Sequence, residues 1–131
     1  MGLKLSRRWR QVLLDWAEAA GNTECCGLLL GQNDVVELAE LTANVAAHPT
    51  NHFEIDPAAL IAAEKCARQG GAQILGYFHS HPNGIAAPSI SDALLAVADE
   101  RRWLIIAGGD ITSWRPSGQP ATFIAEDLVE G

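Results

Sequence analysis

The sequence predicts a single α/β domain, and three observations carry that reading. Stretches with a 3.6-residue apolar period alternate along the chain with short runs rich in leucine, isoleucine and valine. Residues 73–81 and 103–107 are apolar almost without interruption, the pattern of central strands covered on both faces. The 131 residues are 48% hydrophobic and 19% charged, with no repeat, low-complexity tract or linker to divide residues 1–131 into two units.

Each element has its own local warrant. Ser6 can cap a first helix whose inward stripe is Trp9, Val12, Leu13, Trp16, Ala17 and Ala20, and Gly21 supplies a left-handed stop. Residues 26–30 and 35–41 follow as two strands, with Gly31-Gln32-Asn33-Asp34 as the hairpin turn. A loop carrying Asn44, His48 and Pro49 leads to Phe53-Glu54-Ile55. Asp56-Pro57 reads as the N-cap and first turn of a second helix that reaches about Gln69 and stops at Gly70-Gly71. Residues 73–81 form the central strand. A third helix is expected from Ser89 or Ser91 through about Glu100, followed by a buried strand at 103–107. Residues 111–114 and 121–125 close the chain as antiparallel strands around a turn at 115–120.

Charge and composition exclude several functions. A formal charge of −7 argues against a nucleic-acid backbone as partner. The basic cluster Lys4, Arg7, Arg8 and Arg10 reads as the solvated face of the first helix. Apolar runs such as 74–78 and 104–107 fall far short of a membrane span of about 20 residues. The opening MGLKLSRRWRQ has no apolar core that would make it a secretory signal. Cys25, Cys26 and Cys66 are odd in number and suggest reduced thiols, so a cytoplasmic protein is expected. The sequence leaves a homodimer open.

The chemistry is concentrated between His79 and Asp92, in HSHPNGIAAPSISD. Histidines two apart on a strand point to one face, so His79 and His81 can grip one ion together. Asp92 can add an oxygen from the far side of the loop. That makes three ligands of the types zinc accepts and leaves a fourth position for water, as a catalytic site requires. A metal-activated water also needs a base, and Glu24, at the mouth of the first long strand, stands out among the remaining acids. Its distance from the metal does not follow from spacing.

The pattern Glu24, His79-Ser80-His81-Pro82 and Ser89-Ile90-Ser91-Asp92 resembles the signature of the JAMM/MPN+ zinc metalloproteases, with no departure in spacing. The flanking blocks are similar to small prokaryotic members: ECCGLLLG at 24–31, Asn44 and Pro49 leading into Phe53-Glu54-Ile55-Asp56-Pro57, and Gly76 ahead of the histidines. The resemblance implies a three-layer α/β sandwich around a mixed β-sheet, like that of cytidine deaminases. It further implies that His79, His81 and Asp92 ligate Zn2+, that Glu24 is the general base and that Ser89 steadies the oxyanion. The implied partner is a ubiquitin-like or sulfur-carrier protein with a Gly-Gly C-terminal tail, cleaved after its terminal glycine.

Other readings compete residue by residue. Ser89 and Asp92 also form a capping box for the third helix, and both roles can coexist. Cys25 or Cys26 as a thiol nucleophile is disfavoured by their place in a β-rich run. His48, His52, Asn44 and Trp114 can contact substrate or serve the loop and core, and the sequence does not choose. A catalytically silent MPN-type scaffold has no chemical need for all five polar residues. A zinc deaminase needs a His-x-Glu and a Pro-Cys-x-x-Cys, and neither occurs. Within the protease reading, processing of a sulfur carrier and deconjugation of a bacterial ubiquitin-like modifier stay open.

Overall fold

The computed structural model describes residues 2–131. Its N-terminal strand β1 (Leu3–Leu5) turns at Ser6 into helix α1 (Arg7–Ala20), where the Ser6 hydroxyl accepts the Trp9 amide at 3.2 Å. Gly21, at φ 61°, ends the helix in the left-handed region that glycine adopts without strain. Strands β2 (Cys26–Gln32) and β3 (Val35–Thr42) form a hairpin. Its turn is tighter than the sequence suggested. Only Asn33 and Asp34 lie outside the ladder, both at positive φ, as a two-residue type I′ turn requires.

Helix α2 (Pro57–Arg68) starts at the Asp56 cap, and β4 (Gln73–Ser80) is the central strand. Helix α3 (Ile90–Leu95), β5 (Arg102–Ala107), β6 (Asp110–Ser117), β7 (Thr122–Glu126) and β8 (Leu128–Glu130) complete the chain. The eight strands make one mixed sheet in the order β7-β6-β5-β4-β2-β3-β1-β8. The β4–β5, β1–β3 and β1–β8 pairs are parallel. Helix α1 covers one face over Leu29, Phe78, Leu104 and Ile106, while α2 covers Leu28, Leu30 and Ile74 on the other. Beside α2, Cys26, Phe53, Ala96 and Trp103 form a second cluster on that face. This is the three-layer sandwich.

One expectation is corrected here, and two strands are added. The third helix is six residues long and stops at Leu95, not near Glu100. Ala96 turns to an extended conformation and is buried among Phe53, Trp103 and Ala121, which takes the chain out of the helix. Asp99 then closes a turn by accepting the Arg101 amide at 2.9 Å. The short strands β1 and β8 were not anticipated. Leu3 and Leu5 are nonetheless core residues, 0% and 3% exposed.

A bulge sets the phase of the central strand. Leu29 pairs with Gly76 but Leu30 pairs with Ile74, so Leu75 is the extra residue. Without it, strict alternation from Ile74 would send Phe78 to the α2 side and His79 to the α1 side. With it, Tyr77 and His79 share the α2 face. One extra residue therefore decides which layer holds the histidines.

Candidate functional site

The β2–β4 register builds the site. Cys26 pairs with His79, and continuing the antiparallel ladder by two residues sets Glu24 opposite His81. The ladder does extend beyond the strands: the Ser80 amide donates to the Cys25 carbonyl at 3.0 Å, and the Ser80 hydroxyl accepts the Cys25 amide at 2.8 Å. Ser80, between the two histidines, thus fastens the segment that carries Glu24. Glu24, His79 and His81 each offer a ligand atom within 4.8 Å of one another, and all three residues are buried.

Asp92 arrives from α3. Its Oδ2 lies 3.1 Å from His79 Nε2 and 3.1 Å from His81 Nε2, while the two Nε2 atoms are 3.0 Å apart. The same Oδ2 accepts the Ser89 amide at 2.9 Å, and the Ser89 hydroxyl accepts the Asp92 amide at 3.0 Å. The capping box is therefore present, and it aims Asp92 at the histidines instead of competing with that arrangement. The Ser89 hydroxyl keeps its own hydrogen available to donate.

This donor set fits a divalent metal ion, and the tautomers support the fit. His81 Nδ1 is 2.8 Å from the Ile85 carbonyl, which can only accept, so the proton of the neutral ring sits on Nδ1. Its Nε2 then points a lone pair at Asp92 and His79, where a cation would satisfy it. Two imidazole nitrogens and one carboxylate oxygen would leave a position open on a four-coordinate metal ion. The buried Oε1 of Glu24 and Nδ1 of His79 have no hydrogen-bond partner among the described residues.

Electrostatics sort the four groups. Burial pushes the Glu24 carboxyl up to about 7, opposed by His81 and reinforced by Asp92, so it is poised to take and release a proton near neutrality. Burial would raise Asp92 too, but the bonds from His79, His81 and the Ser89 amide prevail and hold it well below the usual carboxylate range. Burial lowers His79, favouring the neutral ring that metal ligation would require. His81 is raised, because Asp92 and the Ile85 carbonyl together outweigh its burial.

Aromatic rings hold His79. Phe53 stacks on it at 4.2 Å and 16°, and Trp103 meets it edge-on at 5.5 Å. The role of Phe53 was not foreseen; its sequence signals were its place before the Asp56 cap and in the family-like block at 53–57. The residues left open resolve differently. Asn44 spends its amide on internal bonds to Glu24, Ala46, His52 and Glu54. His52 Nε2 is 3.1 Å from the Ser91 hydroxyl, bridging the loop to α3. Trp114 donates to Thr112, whose hydroxyl holds the Ala86 carbonyl of the 82–88 loop at 2.8 Å.

A groove of about 400 Å³ runs from Asp92 between the loop and α3, lined by Ala46, His48, His52, Phe53, Ser91 and Leu95. The cysteines take no part: Cys25 and Cys26 are buried, and burial raises the Cys26 thiol to about 11, far from a thiolate nucleophile. Among the described residues no helix is long and apolar enough to cross a membrane.

Residues 6–117 match the model of the family described as prokaryotic homologs of the JAB domain. The chain is similar to a desampylase of Haloferax volcanii, 34% identical over 96 residues that cover 69% of each chain. It is also similar to a probable TtuB-protein conjugate cleaving protease of Thermus thermophilus, 35% identical over 82 residues. That match covers 63% of this chain and about half, 51%, of the Thermus protein. A solved structure of DSY2949 from Desulfitobacterium hafniense aligns at a TM-score of 0.79 with 31% identity, covering 98% of this chain and 93% of that one. AF2198, a JAB1/MPN domain protein from Archaeoglobus fulgidus, shares the fold at a TM-score of 0.66 and 19% identity, covering 99% and 98%.

Proposed function

The chain belongs to the prokaryotic JAB-domain family and is a JAMM-type metallopeptidase, and from that premise we propose that it hydrolyses the bond after the C-terminal glycine of a ubiquitin-like or sulfur-carrier protein. The observation that carries this reading is the convergence of His79 Nε2, His81 Nε2 and Asp92 Oδ2 within 3.1 Å, with the Glu24 carboxyl beside them. His79, His81 and Asp92 would hold a zinc ion, which when bound polarises the scissile carbonyl and makes water acidic enough to attack at neutral pH.

The chain's own groups do the rest. Glu24 takes the proton of the attacking water and passes it to the departing amine, a task suited to a carboxyl that titrates near 7. The Ser89 hydroxyl donates to the oxygen on which negative charge develops. The groove beside Asp92 has small residues, Ala46 and Ala47, in its lining. An extended tail enters such a groove only if its backbone approaches closely, which glycine permits because it has no Cβ. Three reduced thiols, with no disulfide among the described residues, suit a cytoplasmic setting.

The test joins a ubiquitin-fold protein ending in Gly-Gly to a fluorogenic arylamine through its terminal carboxyl. Zinc-loaded enzyme should release the amine, and a strong chelator should abolish release while alkylation of the thiols spares it. Cleavage that survives the chelator and dies with alkylation would overturn the metallopeptidase mechanism.

A further inference from the structure

Glu24 lies two residues before β2 begins, so no pairing within the defined strands holds its main chain. Both of its main-chain groups are instead held by the loop at 44–55. Its amide donates to the Pro49 carbonyl at 2.7 Å, and its carbonyl accepts from Asn44 Nδ2 at 2.9 Å. Asn44 Nδ2 also donates to the His52 carbonyl at 3.0 Å, while its Oδ1 accepts the amides of Ala46 at 3.0 Å and Glu54 at 3.1 Å. Two N–H groups and two lone pairs are the whole capacity of an asparagine side chain, and here all are spent. The partners also fix which way the amide points, since two are carbonyls and two are amides.

The same loop reaches the other site groups. Phe53 stacks on His79, and His52 bonds to Ser91, next to Asp92 on α3. Asn44 is the one side chain in this loop that bonds to the segment carrying Glu24.

We propose that Asn44 is a positioning residue for Glu24, setting the main chain from which the carboxyl reaches the attacking water and tying it to the loop that walls the substrate groove. This rests on the reading of Glu24 as general base. It identifies why the base stays aligned beyond the end of β2, and it predicts that Asn44 acts through Glu24 and not through the metal ligands.

Asn44→Asp isolates the contact. The carboxylate can still accept the Ala46 and Glu54 amides, but it donates nothing and sets a second oxygen against the carbonyls of Glu24 and His52. Wild type, Asn44→Asp, Glu24→Gln and the double variant are compared on the Gly-Gly arylamine substrate, with zinc content and thermal melting measured for each. Asn44→Asp should keep zinc stoichiometry and KM while kcat falls roughly 10- to 100-fold, the scale of a misplacement near 1 Å. In the Glu24→Gln background the same substitution should leave the residual rate almost unchanged, because the group it positions is gone.

Wild-type kcat in Asn44→Asp would overturn the proposal. So would an equal fold-loss in both backgrounds, or loss of zinc together with kcat, since either marks a role in folding. Should Asn44→Asp not melt cooperatively, Asn44→Ser, which retains a small donor, is carried through the same cycle. Failure of both to fold would assign Asn44 to stability alone. Near-normal turnover by Glu24→Gln is a separate outcome that removes the base itself, whatever Asn44 does.

Discussion

Glu24→Gln should make the metal-free protein more stable and the enzyme nearly inactive. Glu24 is 5% exposed, its Oε1 has no partner among the described residues, and burial raises its carboxyl from 4.5 to about 7. The sign follows from linkage. Below pH 4.5 folded and open chains both hold the proton, so the residue is neutral in both and contributes no pH dependence. Between 4.5 and 7 the open chain ionises first, and the fold loses stability as pH rises. Above 7 the loss levels off at about 3 kcal/mol, taking 1.36 kcal/mol per pKa unit. Glutamine carries no charge at any pH and removes this loss. Chelator-treated Glu24→Gln should therefore match wild type near pH 4 and exceed it at pH 8 by up to about 3 kcal/mol, roughly 10 °C in Tm for a domain of this size. Denaturant and thermal melts at the two pH values measure that difference. With zinc restored, hydrolysis should fall by about 10²–10⁴, the usual contribution of a general base. Parallel pH profiles of stability for the two proteins would refute the buried-carboxyl argument, and retained turnover would refute the catalytic one.

Three further outcomes follow from the same geometry. Wild type should bind about one zinc per chain, whereas His79→Ala or His81→Ala should abolish binding, since two remaining ligands rarely hold a metal; full metal content in the double variant would sink the ligand assignment. Phe53→Leu removes the ring stacked 4.2 Å from His79 and should weaken zinc affinity about 10-fold, as loss of an orienting neighbour typically does, in a chelator-competition titration. An affinity equal to wild type would show that Trp103 alone orients the histidine. Replacing the penultimate glycine of a Gly-Gly substrate tail by valine should lower kcat/KM sharply, because a branched Cβ must pass the groove beside Ala46 and Ala47; equal values for the two tails would refute the close-approach model.

What the sequence disclosed and what it withheld divide along a physical line. The shared face of His79 and His81 is a local property, because a strand repeats every two residues and both lie on or just beyond one strand. The Asp56 and Ser89 caps are equally local, and each was legible as a short polar signal before an apolar run. β1 and β8, three residues each, are too short to show any period, although Leu3 and Leu5 prove to be core. The third helix was expected to run through about Glu100, but Leu94, Leu95 and Val97 are exposed, so no apolar stripe holds a longer helix against the sheet. Glu24 is the instructive case. Its place opposite His81 depends on the register of β2 against β4, and that register carries a bulge at Leu75 which no alternation of residue types announces. Only a resemblance spanning the whole motif could single it out. Asn44 and Phe53 lie further still from local legibility, since their partners stand 20 and 26 residues away in the chain and meet them only because the loop at 44–55 crosses the mouth of the sheet. Ligand types that chemistry restricts can be read from spacing. The residues that hold those ligands in place answer to packing, and they become visible only once the sheet has set its register.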